Sequence, residues 1–197
     1  MKTMIKPFLC LVLALVLLLT AGCTQKSDDK RFTFLLDGVA ERGGVILEGI
    51  VPGMSKQEAE AAGLVLAAEP FRNTNDESGR SSESYPVRNT IALDKISFVG
   101  PEIQFTDGKL VNIALTTSNE SDANALLEQL KKELDEPAVQ NHQTGSTGTS
   151  GVQYWESDQG DYLLRISYVT HYRSDKAVGA NLQIAYLYYE WFPELRK

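Results

Sequence analysis

The sequence predicts an α+β fold of tandem α-β-β-β halves, with two helices packed on one face of an antiparallel sheet. Two segments have the apolar spacing of helices. Each is followed by a Glu-Pro pair, a long polar stretch and three strand-like segments. This repeated order predicts pseudo-repeats of residues 45–117 and 118–192 within a single domain of residues 31–197. An unrepeated α+β domain is the alternative.

The N-terminal segment has the pattern of a secretory signal peptide. An unbroken apolar run from Phe8 to Leu19 follows two lysines, Lys2 and Lys6. Signal peptides contain about 7–15 such residues, whereas a helix that spans a bilayer needs about 20. We therefore expect residues 1–22 to direct export and to be removed.

The end of this segment resembles the lipobox of bacterial lipoproteins. Small residues lead into Cys23, although Thr20 stands where that family usually has leucine. The resemblance implies diacylation of Cys23, for example with palmitate, and two or more acyl chains hold a protein stably on a membrane. Residues 23–30 would be a short tether to the cell membrane or outer membrane, facing outside the cytoplasm. An ordinary cleaved signal with an incidental cysteine is the alternative.

Composition narrows the possible partners. The chain has 197 residues and a formal net charge of −7, and removal of the signal peptide takes two lysines with it. No nucleic-acid partner is expected, because phosphate recognition needs a basic face. Membrane attachment would depend on the lipid on Cys23 rather than on a basic patch. The other cysteine, Cys10, lies in the signal, so no disulfide is expected.

The first half contains two strand-like segments and one capped helix. Arg31–Leu36 and Val45–Ile50 are apolar enough to form strands. An S-x-x-E capping box that starts at Ser55 predicts a helix that runs from Lys56 to about Ala62, or that continues to Ala68 before Pro70. The polar stretch 72–84 has little to bury, which predicts a mobile loop.

Alternating apolar residues then predict strands and a hairpin around Asp107 and Gly108. A two-residue loop would split the apolar residues between the two faces of the sheet. A three-residue loop over Thr106–Gly108 keeps them together, so we expect that loop. The predicted buried face comprises Ile103, Phe105, Val111, Ile113 and Leu115.

The second half begins with the clearest helix. Ser121 is the expected N-cap and Pro137 ends the pattern. The apolar stripe comprises Ala123, Leu126, Leu127, Leu130 and Leu134. Residues 140–151 are expected to form a polar loop, and the strands that follow are Val152–Glu156, Tyr162–Tyr172 and Leu182–Trp191.

A short motif marks the start of the first helix. It has the pattern G-M-S-K-x-E and comprises Gly53, Met54, Ser55, Lys56 and Glu58. The arrangement resembles the small envelope lipoproteins of the BamE/SmpA type, and is similar to the tandem domain of β-lactamase inhibitory protein. The resemblance covers roughly residues 45–116 and implies an open sheet face that binds other proteins, with no catalytic residues.

The sequence offers no catalytic constellation. His142 lies in a polar stretch, and His171 lies near the end of a strand-like segment. The serines cluster in polar stretches, whereas a catalytic triad needs a serine held in a rigid turn. The acidic residues around Asp158 and Asp161 lack the spacing of a calcium loop. We therefore expect no enzymatic activity, no metal site and no cofactor.

Aromatic residues are concentrated near the C-terminus. Alternation places Tyr186 on one face of the last strand and Tyr189 and Trp191 on the other. One interpretation is that both faces of the last strand pack against a core, with some tyrosines at its rim. The other is that Tyr172, Tyr189 and Trp191 bind a partner, since tyrosine and tryptophan dominate binding hot spots. The predicted function is a lipid-anchored, non-catalytic module that binds an envelope or extracellular protein. An extracellular inhibitor or ligand-sensing lipoprotein is the alternative.

Overall fold

The computed structural model describes residues 30–39, 41–134, 137, 139–145, 148–173 and 176–196. The predicted signal peptide, the lipidation site Cys23 and all but the last residue of the predicted tether lie outside these ranges. No helix within the ranges is long and apolar enough to cross a membrane. Export and lipidation therefore stay predictions.

The described chain forms two β-sheets and two α-helices. In chain order its elements are β1 (Phe32–Thr33), α1 (Lys56–Ala61), β2 (Arg72–Asn75), β3 (Ser81–Pro86), β4 (Ile91–Leu93), β5 (Ile96–Ser97), β6 (Val99–Thr106), β7 (Lys109–Thr117), α2 (Glu120–Glu133), β8 (Val139–Gly145), β9 (Gly148–Asp158), β10 (Tyr162–Arg173) and β11 (Lys176–Tyr188). A 3-10 turn, Pro193–Leu195, follows β11. The small sheet has the order β1-β4-β5, and the large sheet has the order β2-β3-β6-β7-β11-β10-β9-β8.

The predicted α+β fold class is wrong, because the described residues are β-rich, with 48% of them in strands and only two α-helices among them. The large sheet consists of two four-stranded runs that meet where β7 pairs with β11. The extra strands come from the polar stretches 72–84 and 140–151, for which loops were the expectation. Backbone hydrogen bonds hold a strand ladder together, so an edge strand needs few apolar side chains.

The helices also differ from the prediction of two helices covering the sheet. The capping box is confirmed, since Ser55 and Glu58 bond each other's backbone N–H. However, α1 has six residues and buries only Ala59. The N-cap of α2 is Asn119 rather than Ser121, and its Oδ1 accepts from Asp122 N at 2.8 Å. Only α2 is long enough to cover several strands.

The hairpin between β6 and β7 closes through a two-residue loop, so the predicted three-residue loop is wrong. Thr106 pairs with Lys109, and the intervening Asp107 and Gly108 both have positive φ, at 47° and 78°. A β-bulge then shifts the register and leaves Val111 without a direct partner. Because the bulge adds one residue to β7, the apolar side chains on both sides of it point to the same face of the sheet. This buried face comprises Ile103, Phe105, Leu110, Ile113 and Leu115.

The N-terminal segment is less regular than its apolar pattern suggests. Only β1 forms within Arg31–Leu36, and it pairs in parallel with β4. Residues 45–50 contribute isolated bridges at Leu47 rather than a strand. Phe34, Ile46 and Leu47 are nevertheless buried in the core. The apolar pattern in this segment therefore indicated burial rather than strand pairing.

The core lies between the large sheet and a layer formed by α2, the small sheet and residues 34–50. The Tyr168 hydroxyl donates to the Ala123 carbonyl of α2 at 2.7 Å, and the Tyr186 hydroxyl donates to the Gly44 carbonyl at 3.2 Å. These contacts place one side of the large sheet against the layer. No helix or strand of the described residues lies over the other side, which we call the open face.

Candidate functional site

The open face arises from the alternation of side chains along the strands of the large sheet. In β11, Leu182 and Ile184 are buried in the core while Gln183 between them is exposed. Antiparallel sheets commonly keep one face in water. The strand registers place on the open face Gln104 of β6, Asn112 and Ala114 of β7, Gln183 and Ala185 of β11, Arg165, Ser167 and Val169 of β10, and Val152 and Tyr154 of β9.

An arginine and a tyrosine lie together on the half of the open face formed by β9 and β10. The Arg165 guanidinium is 5.4 Å from the centre of the Tyr154 ring. Its Nη2 atom is 2.6 Å from Glu156 Oε1, so the two charges compensate each other. Arginine and tyrosine are frequent hot-spot residues in protein interfaces.

A pocket of about 260 Å³ opens at the end of the face where the C-terminal segment turns back. The N–H groups of Trp191 and Phe192 both donate to the Tyr188 carbonyl at 3.0 Å, which turns the chain sharply after β11. Trp191 and Phe192 are each half-buried and form the rim of the pocket. Its floor consists of side chains from β6, β7 and β11.

Arg80, in the turn between β2 and β3, contacts the aromatic rim of the pocket. Its guanidinium lies 5.6 Å from the centre of the Trp191 ring and 5.2 Å from that of Phe192. Its Nε atom donates to Asp76 Oδ2 at 2.7 Å. Hydrogen bonds from Ser78, and next from Arg80, hold the pKa of the Asp76 carboxyl well below its usual range. Asp76 therefore stays ionised at neutral pH and offsets the charge of Arg80.

Three side-chain amides line the floor, and we call the site the amide pocket after Gln104, Asn112 and Gln183. Gln104 pairs with Asn112 across β6 and β7, and Gln183 lies on β11 opposite Ala114. Asn112 Oδ1 is buried and has no hydrogen-bond partner in the described part of the chain. The amide pocket thus combines planar polar groups with an aromatic rim.

The structure does not bring the sequence-predicted binding residues together. Trp191 borders the amide pocket. Tyr189 is only 7% exposed, with the Arg196 guanidinium 5.4 Å from its ring. Tyr172 pairs with Ala177 at the far end of β10, about 33 Å from the Tyr162 end at a rise of about 3.3 Å per residue. Cys23 lies outside the described residues.

Most of the C-terminal tyrosines belong to the core rather than to a surface. The Tyr162 hydroxyl donates to the Gly43 carbonyl, and the Tyr188 hydroxyl donates to the Leu110 carbonyl at 3.3 Å. Burial raises the pKa of Tyr162 to about 12 and raises the pKa values of Tyr186 and Tyr188 as well. These hydroxyls therefore stay protonated at neutral pH. Those of Tyr162 and Tyr186 join the N-terminal segment to the large sheet, whereas that of Tyr188 joins β11 to β7 within the sheet.

Sequence reasoning missed Arg80, Phe192 and the three amides. Arg80 fell within a stretch interpreted as a loop, although Asp76 and Gly79 are typical of a tight turn between strands. The amides stand between apolar residues of alternating segments, so strand parity alone could have placed Gln104 and Gln183 on a polar face.

Two larger cavities lie away from the open face. One of about 610 Å³ is lined by Asp37, Arg42 and Leu134, between the C-terminal end of α2 and β9 and β10. Another of about 440 Å³ contains Tyr189 and Lys109. Within the residues that the structure describes, no group of three or more histidine, cysteine, aspartate or glutamate side chains could hold a metal ion.

Comparison with known proteins gives no assignment. No protein-family model matches the chain, and no curated protein or solved structure matches it significantly.

Proposed function

We propose that this chain is a lipid-anchored cell-envelope protein that acts as a non-catalytic protein-binding module. The observation that supports this is the open face of an eight-stranded sheet, which no described element covers. The face offers the stacked pair of Arg165 and Tyr154, with Trp191 at its end. These residue types dominate the hot spots of protein interfaces. The proposed partner is an envelope or extracellular protein that lies across this face.

The proposed membrane contact is lipid on Cys23. Its support is the order of two lysines, an apolar run, small residues and cysteine at the N-terminus. Intact mass spectrometry of the protein from isolated membranes is expected to show a chain that begins at Cys23 and carries acyl chains. Cys23→Ser is expected to remove the acyl mass and to release the protein from the membrane fraction. A wild-type chain with an unmodified cysteine would contradict the anchor.

A non-catalytic role is supported by the contacts of two acidic groups near the open face, Asp76 and Glu156. Asp76 and Glu156 each form an ion pair with an arginine, at 2.7 Å and 2.6 Å. A general acid or base must instead be free to exchange a proton with a substrate. These carboxylates are therefore engaged in holding the turn and the sheet surface.

The protein-binding function is tested by crosslinking partners in native envelopes and identifying them by mass spectrometry. The test variant carries Ala114→Glu and Val169→Glu, which place two carboxylates on the open face. The matched control is Glu128→Lys, because the Glu128 side chain on the outer surface of α2 is 75% exposed. Equal urea midpoints show that each variant is folded.

We expect one stoichiometric protein to be captured by the wild type and by the Glu128→Lys control but not by the double variant. Buried unpaired carboxylates at an interface oppose association strongly. Equal capture by the double variant would remove the open face from the function. Failure of the wild type to capture any protein would contradict a protein-binding module.

A further inference from the structure

The floor of the amide pocket has more hydrogen-bonding capacity than the described residues use. Each side-chain amide offers an acceptor oxygen and two N–H donors. Asn112 Oδ1 is buried without a partner, and the amides of Gln104 and Gln183 form no hydrogen bond within the described ranges. A buried polar atom without a partner loses its bond to water and gains nothing in return. A ligand that bonds to these amides would recover part of this loss.

The charges around the pocket argue against an ionic ligand. Arg80 and Asp76 are the charged residues that line it among the described residues, and they pair with each other at 2.7 Å. A phosphate or carboxylate would meet the Asp76 carboxylate beside Arg80, and a metal ion would meet the guanidinium of Arg80. Because the charges of Arg80 and Asp76 compensate each other, the ligand that fits the pocket is neutral.

The rim supplies flat apolar surface beside the amides. Trp191 and Phe192 are half-buried, and the Arg80 guanidinium lies within 5.6 Å of both ring centres. An aromatic side chain offers an apolar face to a ligand whose other edge remains polar. The pocket volume of about 260 Å³ is just below the range of about 300–1,000 Å³ for drug-sized ligands, so it suits one six-membered ring.

A sugar ring with an acetamido substituent has the chemistry that these groups require. Its C–H face packs on an aromatic ring, and its hydroxyls donate to and accept from side-chain amides. The acetamido N–H can donate to an amide oxygen such as Asn112 Oδ1, and its carbonyl can accept from an amide N–H of Gln104 or Gln183. We propose that the amide pocket binds a neutral N-acetylated hexosamine ring.

This site goes beyond the proposed protein-binding function. It occupies the end of the open face near Trp191, whereas Tyr154, Arg165 and Val169 lie on strands further along the sheet. Sugar titration uses no partner protein, so its failure and the failure of partner capture are separate results.

The test is a fluorescence titration of the full chain, purified in a detergent without a sugar headgroup. The chain has two tryptophans, and Trp155 is buried at 5% exposure, so Trp155→Phe leaves Trp191 as the reporter at the pocket. The probes are N-acetylglucosamine and glucose. We expect a saturable change in Trp191 emission with N-acetylglucosamine, with a Kd of about 1 mM, and at least tenfold weaker binding of glucose.

Two further variants locate the binding. Gln183→Ala removes an exposed amide from the floor, and we expect it to weaken N-acetylglucosamine binding at least tenfold. Ser167→Ala removes a small polar group from the same face outside the pocket and is expected to leave the Kd unchanged. Urea midpoints equal to that of the parent show that both variants fold, as expected for substitutions away from the core.

Three results would overturn the proposal. The first is the absence of any saturable change up to about 50 mM sugar, a concentration about fifty times the expected Kd. The second is equal affinity for glucose, which would deny a role to the acetamido group. The third is unchanged affinity in Gln183→Ala, which would place the sugar elsewhere.

Discussion

Gly53 lies where the segment before α1 packs closely against β7 and β11. It has a φ of 79°, and its N–H donates to the Leu110 carbonyl at 3.2 Å. The Tyr188 hydroxyl donates to the same carbonyl at 3.3 Å. A Cβ atom at position 53 would lie 2.8 Å from this hydroxyl oxygen. Gly53→Ala therefore introduces both backbone strain and a steric clash.

The expected cost has two parts. A left-handed conformation costs a non-glycine residue about 1–2 kcal/mol. Displacing the Tyr188 hydroxyl leaves a buried donor without its partner, which adds about 1–3 kcal/mol. We expect Gly53→Ala to lower the free energy of unfolding in urea by about 3 kcal/mol in total.

Two comparisons separate the parts. Gly79 has a φ of 85°, and a Cβ atom added there would meet nothing within 4 Å, so Gly79→Ala is expected to cost only the backbone part of about 1–2 kcal/mol. In a Tyr188→Phe background the nearest ring carbon is 3.7 Å away, so Gly53→Ala is expected to fall to the same cost. Equal costs for Gly53→Ala and Gly79→Ala in the wild type would refute the close approach of Tyr188.

Other substitutions test the layered core and the helix cap. Leu126→Ala removes a fully buried α2 side chain and should cost about 2–5 kcal/mol in urea, whereas exposed Glu128→Ala should stay within about 0.5 kcal/mol; equal effects would contradict the placement of α2. Ser55→Ala breaks the capping box and should cost about 1 kcal/mol by the same measurement. The pKa of Tyr162 is raised by burial to about 12 from 10.0, so the stability that it contributes is complete below pH 10 and is lost as pH rises towards 12. Urea midpoints against pH should therefore fall in this window, less steeply for Tyr162→Phe, and an unchanged slope would contradict burial of this hydroxyl.

Apolar periodicity identified most of the core but underestimated the strands. The stripe of α2 was predictable because Leu126 and Leu130 recur at helical spacing and are both buried. The strands β2 and β8 were not predictable in this way, because their side chains are polar and backbone hydrogen bonds hold them to their neighbours. Apolar residues in a sequence indicate which side chains are buried, and an edge strand buries few side chains.

The candidate site was predictable only in part for a similar reason. The alternation of side chains along the last strand placed Trp191 away from the helix-covered face, and Trp191 does border the amide pocket. The same alternation could not show that the Tyr189 side chain is buried near the C-terminal turn, where it is only 7% exposed. Nor could it show that Arg80, which is 111 residues away along the chain, reaches the Trp191 carbonyl. Contacts of this sequence separation depend on the topology of the whole sheet.

The central claim is that the open face receives a protein partner, and site-specific photocrosslinking in living cells tests it most directly. A photoreactive phenylalanine derivative is placed at Ser167 on the open face or at Glu128 on the outer surface of α2. We predict one discrete crosslinked protein from position 167 and none from position 128. Crosslinking from position 128 alone, or from neither position, would contradict the account.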